Sequence, residues 1–107
     1  MRSSAVALFI ALALVKTAVA APPCDLTGSW SCRGKCQVLD GSDHISQDGS
    51  AINFTGETGE VTHGYWEDPF TIVKVIDSQK GTQLRGHVSK DCTRIDWKNP
   101  TYWIRKR

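Results

Sequence analysis

Short runs of β-forming residues, separated by turn residues at intervals of about ten, occupy the sequence after residue 20. This spacing is typical of an antiparallel meander in which each strand pairs with the next, and none of the runs has helical periodicity. The runs are Leu26–Ser31, Cys36–Asp40, His44–Gln47, Ala51–Glu57, Glu60–Trp66, Pro69–Asp77, Thr82–Lys90, Thr93–Lys98 and Thr101–Arg105. The pair Asp48-Gly49 predicts a type I′ hairpin turn, because both residues tolerate positive φ.

Alternation within the runs predicts which side chains face the interior. Three runs place Ile52, Phe54, Leu84, Gly86, Val88, Ile95 and Trp97 inward, and Asn53, Arg85, His87, Arg94 and Asp96 outward. The segment Ile72–Ile76 has apolar residues on both faces, which indicates a strand buried on both sides or a β-bulge. An open sheet of about eight short strands would leave its edges exposed, so we predict closure into a small antiparallel β-barrel.

The first 20 residues have the features of a signal peptide. They combine a positively charged start, an apolar run from Ala5 to Val15 that is too short to span a bilayer, and a cleavage pattern ending at Ala20. We therefore expect a secreted, extracellular protein with one β-barrel domain over residues 21–107 and no membrane insertion after cleavage. An uncleaved anchor is the alternative.

The leader also contains the excess positive charge of the chain. Lys and Arg number 13 against 11 Asp and Glu, and two of the basic residues, Arg2 and Lys16, lie in the leader. The remaining chain is formally neutral. Its charge therefore gives no indication of nucleic-acid binding.

Four cysteines in a small secreted chain predict two disulfides, because a domain of this size has a thin core. In a closed meander with an even number of strands, the last strand runs antiparallel beside the first, which brings Cys92 to the end of the barrel where Cys24 lies. Cys32 and Cys36 then pair at the opposite end, on either side of a turn at Arg33-Gly34-Lys35. The alternative is a four-thiolate zinc site in which Cys32 and Cys36 chelate the ion.

The segment Cys24-Asp25-Leu26-Thr27-Gly28-Ser29-Trp30 resembles the first strand of the avidins, and its Gly-x-Trp core is shared with the lipocalins. In that superfamily, the calycins, the Trp closes one end of a β-barrel and a basic residue of the last strand packs across it. The resemblance implies these structural roles for Trp30 and Arg105. Further along the alignment, Cys32 and Cys36 occupy the positions of the Asn and Ser that hold biotin in avidins, so biotin binding is not implied.

The end of the chain has a second resemblance. From Ile95 to Arg105 it is similar to the Ile-x-Trp-x-Asn-Gly-x-x-Trp-x-Arg terminus of small secreted β proteins, with Pro100 in place of the Gly. This likeness implies a fold and not a function.

Few polar residues have a spacing that indicates chemistry. Asn53-Phe54-Thr55 is an N-glycosylation sequon, with Asn53 predicted on the outer face. His44, His63 and His87 lie on separate runs without the spacing of metal ligands, and no serine lies in a nucleophile elbow. We therefore predict no catalytic residue, no bound metal, no cofactor and a protein that is not an enzyme.

Two adjacent aromatic pairs, Tyr65-Trp66 and Tyr102-Trp103, are the candidates for ligand binding. Neighbouring strand residues face opposite sides, so one member of each pair is predicted outside; the alternative is that the aromatics fill the core. We interpret the chain as a binding protein that presents an aromatic surface or a barrel mouth to a carbohydrate, small molecule or protein. The alternatives are a protease inhibitor or toxin-like protein acting through the Cys32–Cys36 ring, and an extracellular structural component.

Overall fold

The computed structural model describes residues 21–36 and 41–107, and within these ranges the chain forms eight β-strands and no helix. The strands are β1 (Gly28–Gly34), β2 (Ser42–Asp48), β3 (Ala51–Thr55), β4 (Val61–Asp68), β5 (Thr71–Asp77), β6 (Thr82–Val88), β7 (Arg94–Trp97) and β8 (Thr101–Arg105). Each strand pairs antiparallel with the next, and β8 pairs antiparallel with β1. The sheet is a closed barrel, so the predicted all-β fold is confirmed. The described part of the chain has no helix that is long and apolar enough to cross a membrane.

Eight of the nine predicted runs overlap one of these strands. The ninth, Cys36–Asp40, lies outside the described residues apart from Cys36, and the predicted signal peptide lies wholly outside them. The turn predicted at Arg33-Gly34-Lys35 is wrong in part, because Arg33 and Gly34 continue β1. They pair there with Tyr102 and Thr101 of β8, and the strand pairing overrides the local turn preference of Gly34.

The hairpin between β2 and β3 is present, but its turn type differs from the prediction. Asp48 pairs with Ala51, so the two central residues are Gly49 and Ser50 and not Asp48 and Gly49. Gly49 has a φ of 61°, whereas Ser50 has no positive φ. Positive φ at the first central position alone is the pattern of a type II′ turn, which accepts Gly at that position.

Both predicted disulfides are present. Cys24 is bonded to Cys92 across 68 residues of sequence, and Cys32 is bonded to Cys36. In the chain-entropy model the long loop contributes about 4 kcal/mol and the short loop about 2 kcal/mol, so the Cys24–Cys92 bridge is the larger constraint on the unfolded chain.

One end of the barrel, which we call the closed end, is sealed by Trp30 and the segment before β1. The Trp30 indole is fully buried and donates a hydrogen bond to the carbonyl of Leu26 at 3.0 Å. The Arg105 guanidinium lies 5.3 Å from the Trp30 ring and donates to the carbonyls of Asp25 at 2.9 Å and Thr27 at 2.8 Å. Arg105 therefore packs across Trp30 and fixes the N-terminal segment to the last strand.

The predicted alternation is present in β3, β6 and β7, where the inward residues are buried or half-buried and their neighbours are exposed. The segment Ile72–Ile76 departs from alternation in both of the ways considered from the sequence, burial on both faces and a β-bulge. Ile72 and Val73 are fully buried, Val73 on the outer face between its register partners Tyr65 and Arg85. A register shift against β6 follows Val75. This strand therefore places Ile72 and Lys74 inside the barrel.

Candidate functional site

The end of the barrel opposite Trp30, which we call the open end, contains a cavity of about 300 Å³. Six strands and the turn between β3 and β4 contribute to its wall, because the connections that follow the odd-numbered strands of a meander share one end. The charged residues that line it are Lys35, Asp43, Glu57, Glu60 and Lys74. A cavity with this lining is suited to a polar ligand.

Three aromatic side chains pack together beneath the Lys74 amine, and we call them the floor; two of them, Trp97 and Trp103, line the cavity itself. Phe54, Trp97 and Trp103 contact one another edge to face, with ring centroids 5.2 to 6.1 Å apart. Gly86 is opposite Trp97 on β6, and a Cβ atom there would lie 2.7 Å from the Trp97 ring. Only glycine allows this close approach, so the sequence of β6 helps to fix the position of the floor.

Lys74 projects from β5 over this floor. Its Nζ lies 4.9 Å from the Trp103 ring centroid, 5.3 Å from that of Trp97 and 5.4 Å from that of Phe54. Such contacts favour the ammonium form by about 0.5–2 kcal/mol. Burial acts in the opposite direction and lowers the pKa of the Lys74 amine, and the nearby carboxylates only partly offset it. The site therefore contains a desolvated amine above an aromatic surface.

Asp43 lies on β2 beside this amine. Its side chain is only 2 % exposed, and its Oδ2 atom has no hydrogen-bond partner among the described residues. Burial and the charge of Glu57 raise the pKa of Asp43 to about 7, although the Lys74 ammonium acts against them. Asp43 therefore holds a proton far more readily than an ordinary aspartate does.

A second polar atom without a partner belongs to a residue that lines the same cavity. The Nε1–H of Trp97, a residue 6 % exposed, has no acceptor in the described part of the chain. The indoles of Trp30 and Trp66, in contrast, donate to Leu26 at 3.0 Å and to Gln47 at 3.2 Å. A buried donor without an acceptor costs about 1–3 kcal/mol, which a ligand with an acceptor atom would recover.

The turn between β3 and β4 brings two carboxylates to the rim. Glu60 accepts a hydrogen bond from the Thr58 hydroxyl, which lowers the pKa of Glu60. A carboxylate oxygen of Glu57 lies within 4.8 Å of both sulfur atoms of the Cys32–Cys36 disulfide. The rim therefore carries two carboxylates that act on Lys74 through space, together with the side chain of Lys35.

The cysteine sulfur atoms do not form the zinc site considered as an alternative. All four cysteines are in disulfides, which leaves no thiolate to bind an ion. At the open end, the Cys32–Cys36 bridge instead forms part of the cavity wall.

The aromatic pairs predicted from the sequence do not form one surface. Tyr65 is 39 % exposed on the outside of β4, and Tyr102 lies outside β8 beneath Arg94, whose guanidinium is 4.0 Å from the ring centroid. β4 and β8 are on opposite sides of the barrel. Trp66 packs against the core at the closed end, so that only Trp103 of the four candidates lines the open cavity.

Asp43 and Lys74, the central polar residues of this site, were not among the candidates from the sequence. Alternation contains a signal for both, since Asp43 is two residues before the inward Ile45 and Lys74 is two residues after the inward Ile72. Charged side chains are normally expected on the protein surface. Asp43 and Lys74 lie inside the barrel nevertheless, because both side chains end in the cavity.

Comparison with known proteins identified no relative of this chain. A scan against protein-family models, a search of curated proteins and a search of solved structures each found no match to this chain.

Proposed function

We propose that this chain is a secreted, non-enzymatic binding protein whose small ligand occupies the open end of the barrel. The observation that carries the proposal concerns the three buried polar atoms that have no partner among the described residues, Asp43 Oδ2, Thr62 Oγ1 and Trp97 Nε1. Two of them, Asp43 Oδ2 and Trp97 Nε1, belong to residues that line one open cavity. Native proteins satisfy nearly all buried polar atoms, and exceptions occur where a ligand or a reaction completes the set. A ligand with one donor and one acceptor would satisfy both atoms.

The other surfaces of the barrel support this proposal less well. The two tyrosines are far apart, and of these only Tyr65 is exposed, since Tyr102 is half-buried beneath Arg94. A second cavity, of about 320 Å³, lies at the closed end between residues 21–23 and 66–69. None of the buried atoms without partners lines it. The open end is therefore the site where ligand binding gains most.

Secretion and glycosylation belong to the same proposal. Two disulfides in a small domain favour an oxidising compartment, and the sequence of residues 1–20 favours a cleaved leader. Asn53 is exposed on the outer face of β3 and accepts a hydrogen bond from His63 Nδ1, at 2.5 Å, when that nitrogen carries the proton. A glycan on Asn53 would project from the side of the barrel and leave the open end accessible. The resemblance to the calycins remains a proposal about ancestry.

Tryptophan indole N–H signals in a ¹⁵N-labelled sample test the site directly. We expect small sugars, amides or amino acids that bind to shift the Trp97 signal and to leave the Trp30 signal unmoved. Trp30 is the matched control because its N–H is already bonded to Leu26 at the closed end. Binding that perturbs only Tyr65 or Tyr102 would favour the outer surface, and a panel that moves no indole signal would contradict the proposal.

A further inference from the structure

The amine of Lys74 is the most unusual group in the molecule. Its Nζ lies within 5.4 Å of three aromatic ring centroids, and the described residues give it no hydrogen bond and no ion pair within 4 Å. The nearest source of opposite charge is the group of carboxylates Asp43, Glu57 and Glu60, which act on it through space. The amine is therefore held in place by packing, at the bottom of a cavity that opens to solvent.

The charges around this amine restrict what can approach it. An anionic ligand would meet the carboxylates of Glu57 and Glu60 at the rim, where only Lys35 would attract it. A cationic ligand would have to displace the Lys74 side chain from the rings or share the cavity with its charge. A neutral ligand avoids both penalties. The chemistry of the site therefore favours a neutral molecule with an acceptor oxygen for the Trp97 N–H group.

A neutral carbonyl compound meets these conditions and is also an electrophile for an amine. We propose that Lys74 captures a small aldehyde or ketone as a reversible imine in the open end of the barrel. This inference rests on the proposed function, because it assigns the ligand class of the same cavity. Lysines that are desolvated in apolar surroundings are the ones that proteins use to form Schiff bases.

The reaction balances without any oxidant or reductant. The lone pair of the unprotonated amine forms a bond to the carbonyl carbon, and one proton moves from the nitrogen to the carbonyl oxygen to give a carbinolamine. The hydroxyl group then takes up a proton and leaves as water, while the nitrogen forms the carbon–nitrogen double bond and releases its second proton. Addition of water reverses the sequence. Asp43 lines the same cavity and can supply the proton that the departing hydroxyl needs, because burial keeps this carboxyl partly protonated near neutral pH.

The balance of influences on Lys74 supports an accessible free amine. Asp43, Glu57 and Glu60 raise its pKa and the three rings also favour its charged form, but desolvation is the largest influence and lowers the pKa. Each unit by which the pKa falls increases the fraction of free amine about tenfold at a pH below the pKa. The buried lysine should therefore react ahead of the exposed lysines.

Reductive trapping tests the proposal. The folded protein is incubated with propanal and sodium cyanoborohydride at pH 7, and peptide mapping measures N-propylation at each lysine. We expect Lys74 to be modified faster than Lys90 and Lys98, which are exposed. Modification of Lys74 at the rate of these two surface lysines, or more slowly, would overturn the proposal.

Two variants separate the chemistry from the fold. Lys74→Arg keeps a cation over the rings and should abolish labelling in that peptide. At pH 6, where Asp43 is mostly protonated and its charge acts little on Lys74, Asp43→Asn should slow trapping at Lys74 several-fold while leaving Lys90 unchanged, and equal rates would remove Asp43 from the mechanism. If neutral non-carbonyl molecules shift the Trp97 indole signal but propanal does not label Lys74, the imine is wrong and the binding site stands. If neither occurs, both proposals fail.

Discussion

Replacing Asp43 by Asn should stabilise the protein above neutral pH and leave it unchanged in acid. The pKa of Asp43 rises from an ordinary value of 3.8 to about 7 in the fold, because the side chain is buried and lies near Glu57. One pKa unit corresponds to about 1.4 kcal/mol, so about three units correspond to about 4 kcal/mol. Asn has the shape of the neutral carboxyl and cannot ionise.

The sign follows from where the proton binds. Well below pH 3.8 the Asp43 carboxyl is protonated in both the folded and the unfolded chain. In that range it does not change the free energy of unfolding as pH varies. Between that value and about 7 the folded protein keeps a proton that the unfolded chain has lost, so stability falls as pH rises. Above about 7 the loss is complete. Asp43→Asn should therefore lie within about 1 kcal/mol of the wild type at pH 4 and exceed it by up to about 4 kcal/mol at pH 8.

Urea unfolding of both proteins across pH 4 to 8 measures this difference. The difference is the informative quantity, because several surface carboxyls with lowered pKa values, such as Asp25 and Asp91, give the wild type an opposite slope that cancels in it. Asp48→Asn, an exposed position on the same strand, controls for the removal of a charge. A difference between Asp43→Asn and the wild type that stays constant with pH would refute the reasoning.

Two further predictions concern the closed end and the small disulfide ring. In denaturant melts, Trp30→Ala should lower the free energy of unfolding by about 3–5 kcal/mol. Arg105→Ala should lower it by about 2–3 kcal/mol because the guanidinium bonds to backbone carbonyls, whereas Lys106→Ala should be near neutral. Equal, negligible effects of Arg105→Ala and Lys106→Ala would mean that the tail does not seal the barrel. No inhibition of trypsin-like proteases is expected from Arg33 or Lys35. The main chain at Arg33 is already paired with β8 and is not free to pair with a protease as an extended substrate does. Nanomolar inhibition that Lys35→Ala removes would show the contrary.

The fold could be predicted from the sequence because several local signals agree. Turn residues recur at short intervals, inward residues alternate in β3, β6 and β7, and closure of an even-stranded meander pairs Cys24 with Cys92. Strand limits were less predictable. Arg33 and Gly34 look like a turn in isolation, and only their pairing with β8 makes them strand.

The candidate site was not predictable, because it depends on the phase of strands that carry mixed signals. In β5, Ile72 and Val73 are adjacent, so alternation alone leaves two choices for Lys74. The choice is made by the neighbouring strands, where Gly64 and Leu84 lie opposite Lys74 and face the interior. Asp43 presents the same difficulty, since Ser42 and Gly41 before it resemble a turn.

The two ends of the barrel differ in whether their buried polar groups have hydrogen-bond partners. This difference separates residues that stabilise the fold from residues that we propose to bind a ligand. At the closed end the Trp30 indole and the Arg105 guanidinium have backbone partners, so every change there removes a completed interaction. At the open end Asp43 Oδ2 and Trp97 Nε1 are buried without partners, and each lowers stability. Substitution of Asp43 should therefore increase stability and weaken binding, whereas substitution of Arg105 should reduce stability with the open cavity intact. A site kept at the expense of stability is a feature of proteins under selection for binding.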